Sequence, residues 1–285
     1  MAITFVGADA SSSVNVTAIT GLAWPDTNND DLAVFLGLAI NSATLTVDAT
    51  LSLNRTDIDQ NLKAHLAHRL PTPMDGTESG AITMTSGATT NRMAAAVAAY
   101  RGATGLGTAT YLAEGSTAVG THTPPTVSLD SANDGILLLY GERQSLGWAA
   151  DAVTAPSGYT KRVEWGTGGS GGTVVCIADK LTGNSAGTNT PGNWTSTNIA
   201  SNVTMYAIPI IAASSGTTGD LAGTLAAITA SLTADGVADS DIAGVLSTIT
   251  SAFQSAATST ADLSGSTQPV VQDSIATAVA SAALA

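Results

Sequence analysis

Short runs rich in Val, Ile, Thr and Tyr, each closed by a cluster of Gly, Asn, Asp or Pro, succeed one another from residue 3 to residue 211. β-Branched and aromatic residues fit a pleated, half-buried surface and the interrupting residues supply the turns, so this rhythm points to an all-β domain of antiparallel strands. Strands are expected over 3–6, 32–39, 43–53, 81–85, 92–100, 125–129, 135–140, 160–165, 173–178 and 203–211. In Thr44-Leu45-Thr46-Val47-Asp48 apolar and polar residues alternate, which predicts one buried and one wet face. Gly135-Ile136-Leu137-Leu138-Leu139-Tyr140 lacks alternation and reads as a central strand covered on both faces. Residues 57–69 are the one helix-compatible stretch, with Ile58, Leu62, Leu66 and Leu70 four apart, although a strand fits equally after His65. The alanines of 93–99 favour a helix intrinsically, yet the run is taken as a strand. The fold expected for residues 1–213 is a jelly-roll-like antiparallel β-sandwich.

After Ala213 the pattern changes. Residues 214–219, Ser-Ser-Gly-Thr-Thr-Gly, have the composition of a linker, and a repeat-containing region follows over 220–285. Asp220-Leu221-Ala222-Gly223 recurs as Asp241-Ile242-Ala243-Gly244 and as Asp262-Leu263-Ser264-Gly265, a spacing of 241 − 220 = 262 − 241 = 21 residues. Three heptads make the same length, and Leu221, Leu225, Ile228 and Leu232 would line one helix face, as would Ile242, Leu246, Ile249 and Phe253. Asp235, Gly236 and Asp239 interrupt that seam, so the units are either short amphipathic helices or Thr-rich β-turns of a fibre. Either way a 21-residue unit cannot bury its apolar stripe alone. These eight residues are therefore the expected assembly stripe, packing on neighbouring repeats, on the sandwich or on other copies of the chain.

Charge narrows the function. Nine Lys and Arg against 22 Asp and Glu give a net charge of −13, too few cations for a phosphate-binding stripe, which argues against nucleic acid. No apolar run approaches the roughly 20 residues of a membrane helix, so no membrane insertion is expected. The opening residues lack the basic and apolar regions of a secretory signal, so synthesis in a cytoplasm is expected. One cysteine, Cys176, permits no intrachain disulfide, and its place between Val175 and Ile177 reads as a buried, inert thiol.

Reactive constellations are sparse. His65 and His68 are three apart, a ligand-like spacing on a helix, but no HExxH pattern accompanies them. His122 lies in Thr-His-Thr-Pro-Pro and reads as a surface turn residue. Asp26-Thr27-Asn28-Asn29-Asp30-Asp31 gathers oxygen ligands without the glycine and distal glutamate of an EF-hand, and reads as a solvated turn. Asp48, Glu78, Glu142, Glu164 and Asp179 offer carboxylates for glycoside hydrolysis without a spacing that pairs them. The glycines of 166–172 lack the Lys-Ser/Thr ending of a phosphate loop and read as a mobile hairpin tip. No catalytic residue, metal ligand or cofactor is expected. Trp24, Trp148, Trp165 and Trp194 are a candidate glycan platform, although each lies near a strand end where an aromatic plugs a sandwich.

Several strings carry a resemblance. Arg92 to Gly102 (RMAAAVAAYRG), Pro124-Pro125-Thr126-Val127, Pro156-Ser157-Gly158-Tyr159-Thr160, Ala178-Asp179-Lys180 and Trp194-Thr195 resemble the sandwich domain of tailed-phage virion proteins. The likeness is strongest to minor tail proteins of phages infecting actinobacteria. The opening Ile3-Thr4-Phe5-Val6-Gly7, the run Asp31-Leu32-Ala33-Val34 and the Asp-Leu-Ala-Gly repeats are similar to theirs too, whereas their Pro-x-Gly-Trp turn is kept here with Tyr159 in place of Trp. The resemblance implies a non-enzymatic virion component, a minor tail or fibre-like protein and by analogy a homotrimer, contacting other virion proteins and a host cell-surface glycan. A capsid decoration or head-fibre protein, and a carbohydrate-binding module, are the alternatives.

Overall fold

The computed structural model describes residues 2–25, 31–40, 45–47, 51–59, 62–69, 81–115, 120–144, 151–169, 171–197 and 200–213. The chain divides after Ala213, and all described residues belong to the first unit, Met1–Ala213. The linker, the repeats and the assembly stripe from Leu221 to Phe253 lie outside the described residues.

Among the described residues every regular element is a strand. These are β1 (Thr4–Ala23), β2 (Leu32–Ile40), β3 (Leu45–Val47), β4 (Ser52–Asp59), β5 (Leu62–Arg69), β6 (Ala81–Arg101), β7 (Ala103–Leu106), β8 (Thr110–Glu114) and β9 (Thr121–His122). They continue as β10 (Val127–Leu129), β11 (Gly135–Gln144), β12 (Val153–Thr154), β13 (Thr160–Gly166), β14 (Thr173–Lys180), β15 (Gly187–Asn189), β16 (Trp194–Ser196) and β17 (Ala200–Ala212). Pairing is antiparallel throughout. One six-stranded sheet runs β1-β6-β2-β5-β4 with β3 added on β6, and a second runs β13-β14-β11-β17-β7 with β8 also on β17. Two small sheets, β10-β15 and β12-β16-β9, complete the set.

Alternation along the central strands shows how the layers meet. Leu32, Val34, Leu36 and Leu38 of β2 share one core with Ala94, Ala96 and Ala98 of β6, Leu137 and Leu139 of β11, and Tyr206 and Ile208 of β17. The two large sheets thus bury one face of each in a common layer. The intervening residues of β11, namely Ile136, Leu138 and Tyr140, pack the other way against Val127, Val153 and Trp194 of the small sheets. The run 135–140 is therefore covered on both faces, as its lack of alternation predicts.

The other face of the first sheet is covered by its own longest strands. Beyond Val16↔Thr90 the next β1–β6 pair is Ala18↔Thr85, so two residues of β1 advance while five of β6 do, and Asn15 adopts φ 53°. An irregularity of that size bends the ribbon. Its far end brings Ile19, Leu22, Ile82 and Met84 onto Ala33, Phe35 and Ala39 of β2. Gly37 permits the approach, since a Cβ there would lie 2.3 Å from Met84 Sδ. The alanines of 93–99 form the strand expected of them. With β1 on one side and β2 on the other, and cores on both faces, small side chains let the layers close, and packing overrides helix propensity.

The helix-compatible stretch 57–69 is instead the end of β4 followed by β5. A separation of four is also even, so it keeps residues on one strand face, and Ala64 joins Leu62 and Leu66 in the core as a strand requires and a helix does not. Of the expected run 43–53, Leu45–Val47 is a strand with Leu45 buried and Thr46 exposed, and β4 begins at Ser52. The expected 81–85 and 92–100 are parts of one continuous β6.

Candidate functional site

Buried polar groups gather beneath the three-stranded sheet β12-β16-β9. Its strands have only two or three residues each, too few to hold a sheet by their own ladder bonds. Each is held from the large sheet by a different carboxylate. Glu114, at the end of β8, bonds Nδ1 of His122 on β9 at 2.6 Å. Glu142 on β11 accepts from the Ser196 hydroxyl on β16 at 3.1 Å. Glu164 on β13 accepts through Oε1 from the amides of Ala152 and Val153 at β12, at 2.9 and 3.3 Å.

Glu142 is the most enclosed of the three, with no exposed surface. Its Oε2 accepts from the Tyr140 hydroxyl at 2.5 Å, and Oε1 also accepts from Gln144 Nε2. Burial pushes the Glu142 carboxyl above the usual glutamate range, against the three donors and the nearby imidazole of His122, which favour the charged form. Burial and the adjacent Glu142 carboxylate together raise the Tyr140 phenol well above its ordinary value. The Tyr140 ring lies 5.8 Å from that of His122 and 5.2 Å from that of Trp194, centroid to centroid. Both neighbours are fully buried, and His122 Nε2 and Trp194 Nε1 have no hydrogen-bond partner. Glu164 is balanced differently, because Lys161 Nζ reaches its Oε2 at 2.6 Å while also meeting Asp151 Oδ1 and the Val153 carbonyl at 3.0 Å. Chemically this is a cluster of proton donors and acceptors that links the small sheet to the large one.

Among the described residues, the carboxylates singled out for hydrolysis are each engaged with other groups. Asp179 faces Arg162 in a two-bonded pair of 2.7 and 2.9 Å, Glu164 is engaged with Lys161 and backbone amides, and Glu142 is enclosed as above. Asp48 and Glu78 lie outside the described residues. His122 is not a surface turn residue; the two-residue β9 lays it inward against Tyr140. His65 and His68 sit on one strand, where a separation of three places them on opposite faces, so the helical spacing brings no rings together. Burial lowers both imidazoles below their ordinary range. Asp31, the last residue of the oxygen-rich turn, accepts through both carboxylate oxygens from Arg101 Nε and Nη2 at 3.0 Å, and 26–30 lie outside the described residues.

The tryptophans do not form one platform. Trp194 is fully buried under the small sheet, whereas Trp24 packs at the far side of the first large sheet beneath the Arg69 guanidinium, 4.6 Å from its ring centre. Trp165, on β13, is 44% exposed, and Trp148 lies outside the described residues. Plugging a core end accounts for Trp194, since an indole there fills volume that no other side chain supplies. The glycines of 166–172 do close the β13–β14 hairpin, with Gly169 and Gly171 at φ 83° and 76°. Arg92 Nη1 donates to the Gly168 carbonyl beside this hairpin at 2.7 Å. Cys176 is fully buried, and burial raises its thiol well above the ordinary value.

Glu114, Tyr140, Gln144 and Ser196 were not expected as members of a site. One signal for three of the β11 residues is present in Tyr140-Gly141-Glu142-Arg143-Gln144: the outward face that begins Ile136, Leu138 continues with polar residues while the strand stays enclosed. No protein-family model matches the chain, and no curated protein or solved structure is significantly similar to it.

Proposed function

We propose that this chain is a non-enzymatic structural component of a bacteriophage virion, a minor tail or fibre-like protein. On this reading the first 213 residues form a displayed jelly-roll-like β-sandwich, and the repeats after residue 219 join copies of the chain, as a homotrimer, and attach it to other virion proteins.

The observation that carries the reading is where the resembling motifs fall. Residues 92–102 belong to the central strand β6 and the glycine turn that leaves it, with Gly102 at φ 77°. Pro124-Pro125-Thr126-Val127 leads into β10, and Ala178-Asp179-Lys180 ends β14. Pro156 to Tyr159 is a turn closed by the Tyr159 amide on the Pro156 carbonyl at 3.0 Å, with Gly158 at φ 84°, and it feeds β13. Trp194-Thr195 lies in β16. Each motif supplies a strand, a turn or a core plug, so the likeness concerns architecture, which suits a scaffold whose work is display and assembly. A net charge of −13 with few cations also suits a particle that must stay dispersed.

Two measurements test this. Mass spectrometry of phage particles purified through a density gradient should find the chain in the particle fraction, at a copy number divisible by three; recovery only with soluble host protein overturns the virion role. Light scattering should give three times the chain mass for the intact protein and one times for Leu225→Asp combined with Leu246→Asp. Equal masses for both remove the stripe as the assembly element. Host adhesion through glycan would rest on Trp165 among the described tryptophans, and a flat titration of Trp165 fluorescence with cell-wall glycan would refute it.

A further inference from the structure

The three carboxylates beneath β12-β16-β9 stand in the same lateral order as the strands they hold. Glu164 on β13 serves β12, Glu142 on β11 serves β16, and Glu114 on β8 serves β9. We infer that β12-β16-β9 is a proton-controlled lid on the second large sheet, with Glu142 as the titrating peg: the lid is closed while Glu142 carries its proton and loosens when the proton leaves.

The geometry assigns that role to Glu142 rather than to its two neighbours. Glu164 has a cation within 2.6 Å and keeps its charge compensated. Glu114 keeps 24% of its side chain in solvent and bonds an imidazole. Glu142 has no cationic hydrogen-bond partner and no solvent; its partners are the neutral groups of Tyr140, Gln144 and Ser196, and with the proton on Oε2 directed at the Tyr140 oxygen, Oε1 still accepts from Gln144 and Ser196. The ionisable groups that face it are Tyr140 on its own strand, His122 from β9 and Cys176 from β14, with Glu114 beyond His122 and Tyr140. Its neighbours on β17, Val203 and Met205, carry no charge. Deprotonation therefore places a carboxylate in an enclosed site where, among the described residues, its hydrogen-bond partners are all neutral.

The direction follows from linkage. A carboxyl titrating higher in the closed state than in the open one contributes closure that is complete below the open-state value. That contribution is lost as pH rises through the closed-state value. Opening is thus expected on the alkaline side of the ordinary glutamate range, a direction opposite to that of ordinary acid denaturation.

The test uses the intact chain. Hydrogen exchange, normalised to intrinsic rates, is followed at 120–122 and 194–196 from pH 5 to pH 9, with β2 as reference. Lid protection should fall by about tenfold for each unit by which the closed-state titration exceeds the open-state one, while β2 stays constant. Glu142→Gln, which cannot ionise, should hold lid protection level across the range and above wild type at the alkaline end. A variant that keeps the wild-type slope overturns the proposal, as does wild-type lid protection independent of pH. Should Glu142→Gln fail to fold, 13C NMR of the wild-type glutamate carboxyls decides. One carboxyl titrating above the ordinary glutamate range in step with the Trp194–Ser196 amides supports the lid; none doing so refutes it.

Discussion

The fold of the β1–β6 ribbon over β2 can be tested at a single contact. A Cβ added at Gly37 would fall 2.3 Å from Met84 Sδ and 2.8 and 3.0 Å from two atoms of the Phe35 ring. Both neighbours are buried in the outer core, so the extra methyl has nowhere to go without displacing the ribbon or the ring. Overpacking of this kind costs about 1–3 kcal/mol, and Gly37→Ala is expected near about 2 kcal/mol. Met84→Ala alone removes a fully enclosed side chain and should cost about 2–5 kcal/mol. In the double variant the alanine methyl grows into the space the thioether leaves. Only the Phe35 clash remains, and the summed cost should drop by about 1–2 kcal/mol. Urea unfolding of the intact chain, with the slope unchanged between variants, measures all three terms of the cycle. Additivity within about 0.5 kcal/mol would refute the argument, because residues that do not touch do not couple.

Other contacts carry their own expectations. Arg162 holds the nearly inaccessible Asp179 with two bonds and lies 4.3 Å over the Phe5 ring, so Arg162→Ala strands a buried carboxylate and should cost about 3–5 kcal/mol in urea. Arg162→Lys should recover only part of this, since an ammonium lacks the fork; full recovery would show that charge alone matters. Cys176 should react with a thiol reagent only at the rate of unfolding, and fast labelling of the native chain would contradict its burial. Burial pushes Tyr159 up to about 12 and raises Tyr100 well above its ordinary value, so spectrophotometric titration should find both un-ionised at pH 10. Their contribution to stability is complete below the ordinary tyrosine value and is lost as pH rises through the native one. Ionisation of all five tyrosines near pH 10 in the folded chain would refute this.

Strands that depend on composition were legible, and strands that depend on partners were not. β2, β11, β14 and β17 appear in the sequence within a few residues of their true ends, because enclosed strands must be apolar nearly throughout. The sequence pattern predicts four residues of β1, which runs for 20, since Gly7 to Ser13 is small and mostly polar and is held in the sheet by its pairing with β6. β7 and β8 add to the edge of β17 in succession and have no periodicity of their own. The four-residue spacing of Leu62 and Leu66 belongs equally to a helix face and a strand face, so no sequence argument could separate them without Ala64.

The candidate site escaped for a related reason. In the sequence Glu142 is one carboxylate among five and His122 reads as a turn residue, because what unites them is the lid, whose strands are too short to read. A two-residue strand carries no alternation, and its existence rests on what lies under it. Here that support is Trp194, which fills the space above Tyr140, together with three carboxylates spaced along three strands of the larger sheet. The same feature that hid the lid from sequence reasoning makes it responsive. An element with few ladder bonds of its own takes its stability from side chains below it, and a titrating side chain among them can govern the element while the large sheets, with their longer ladders, stay fixed.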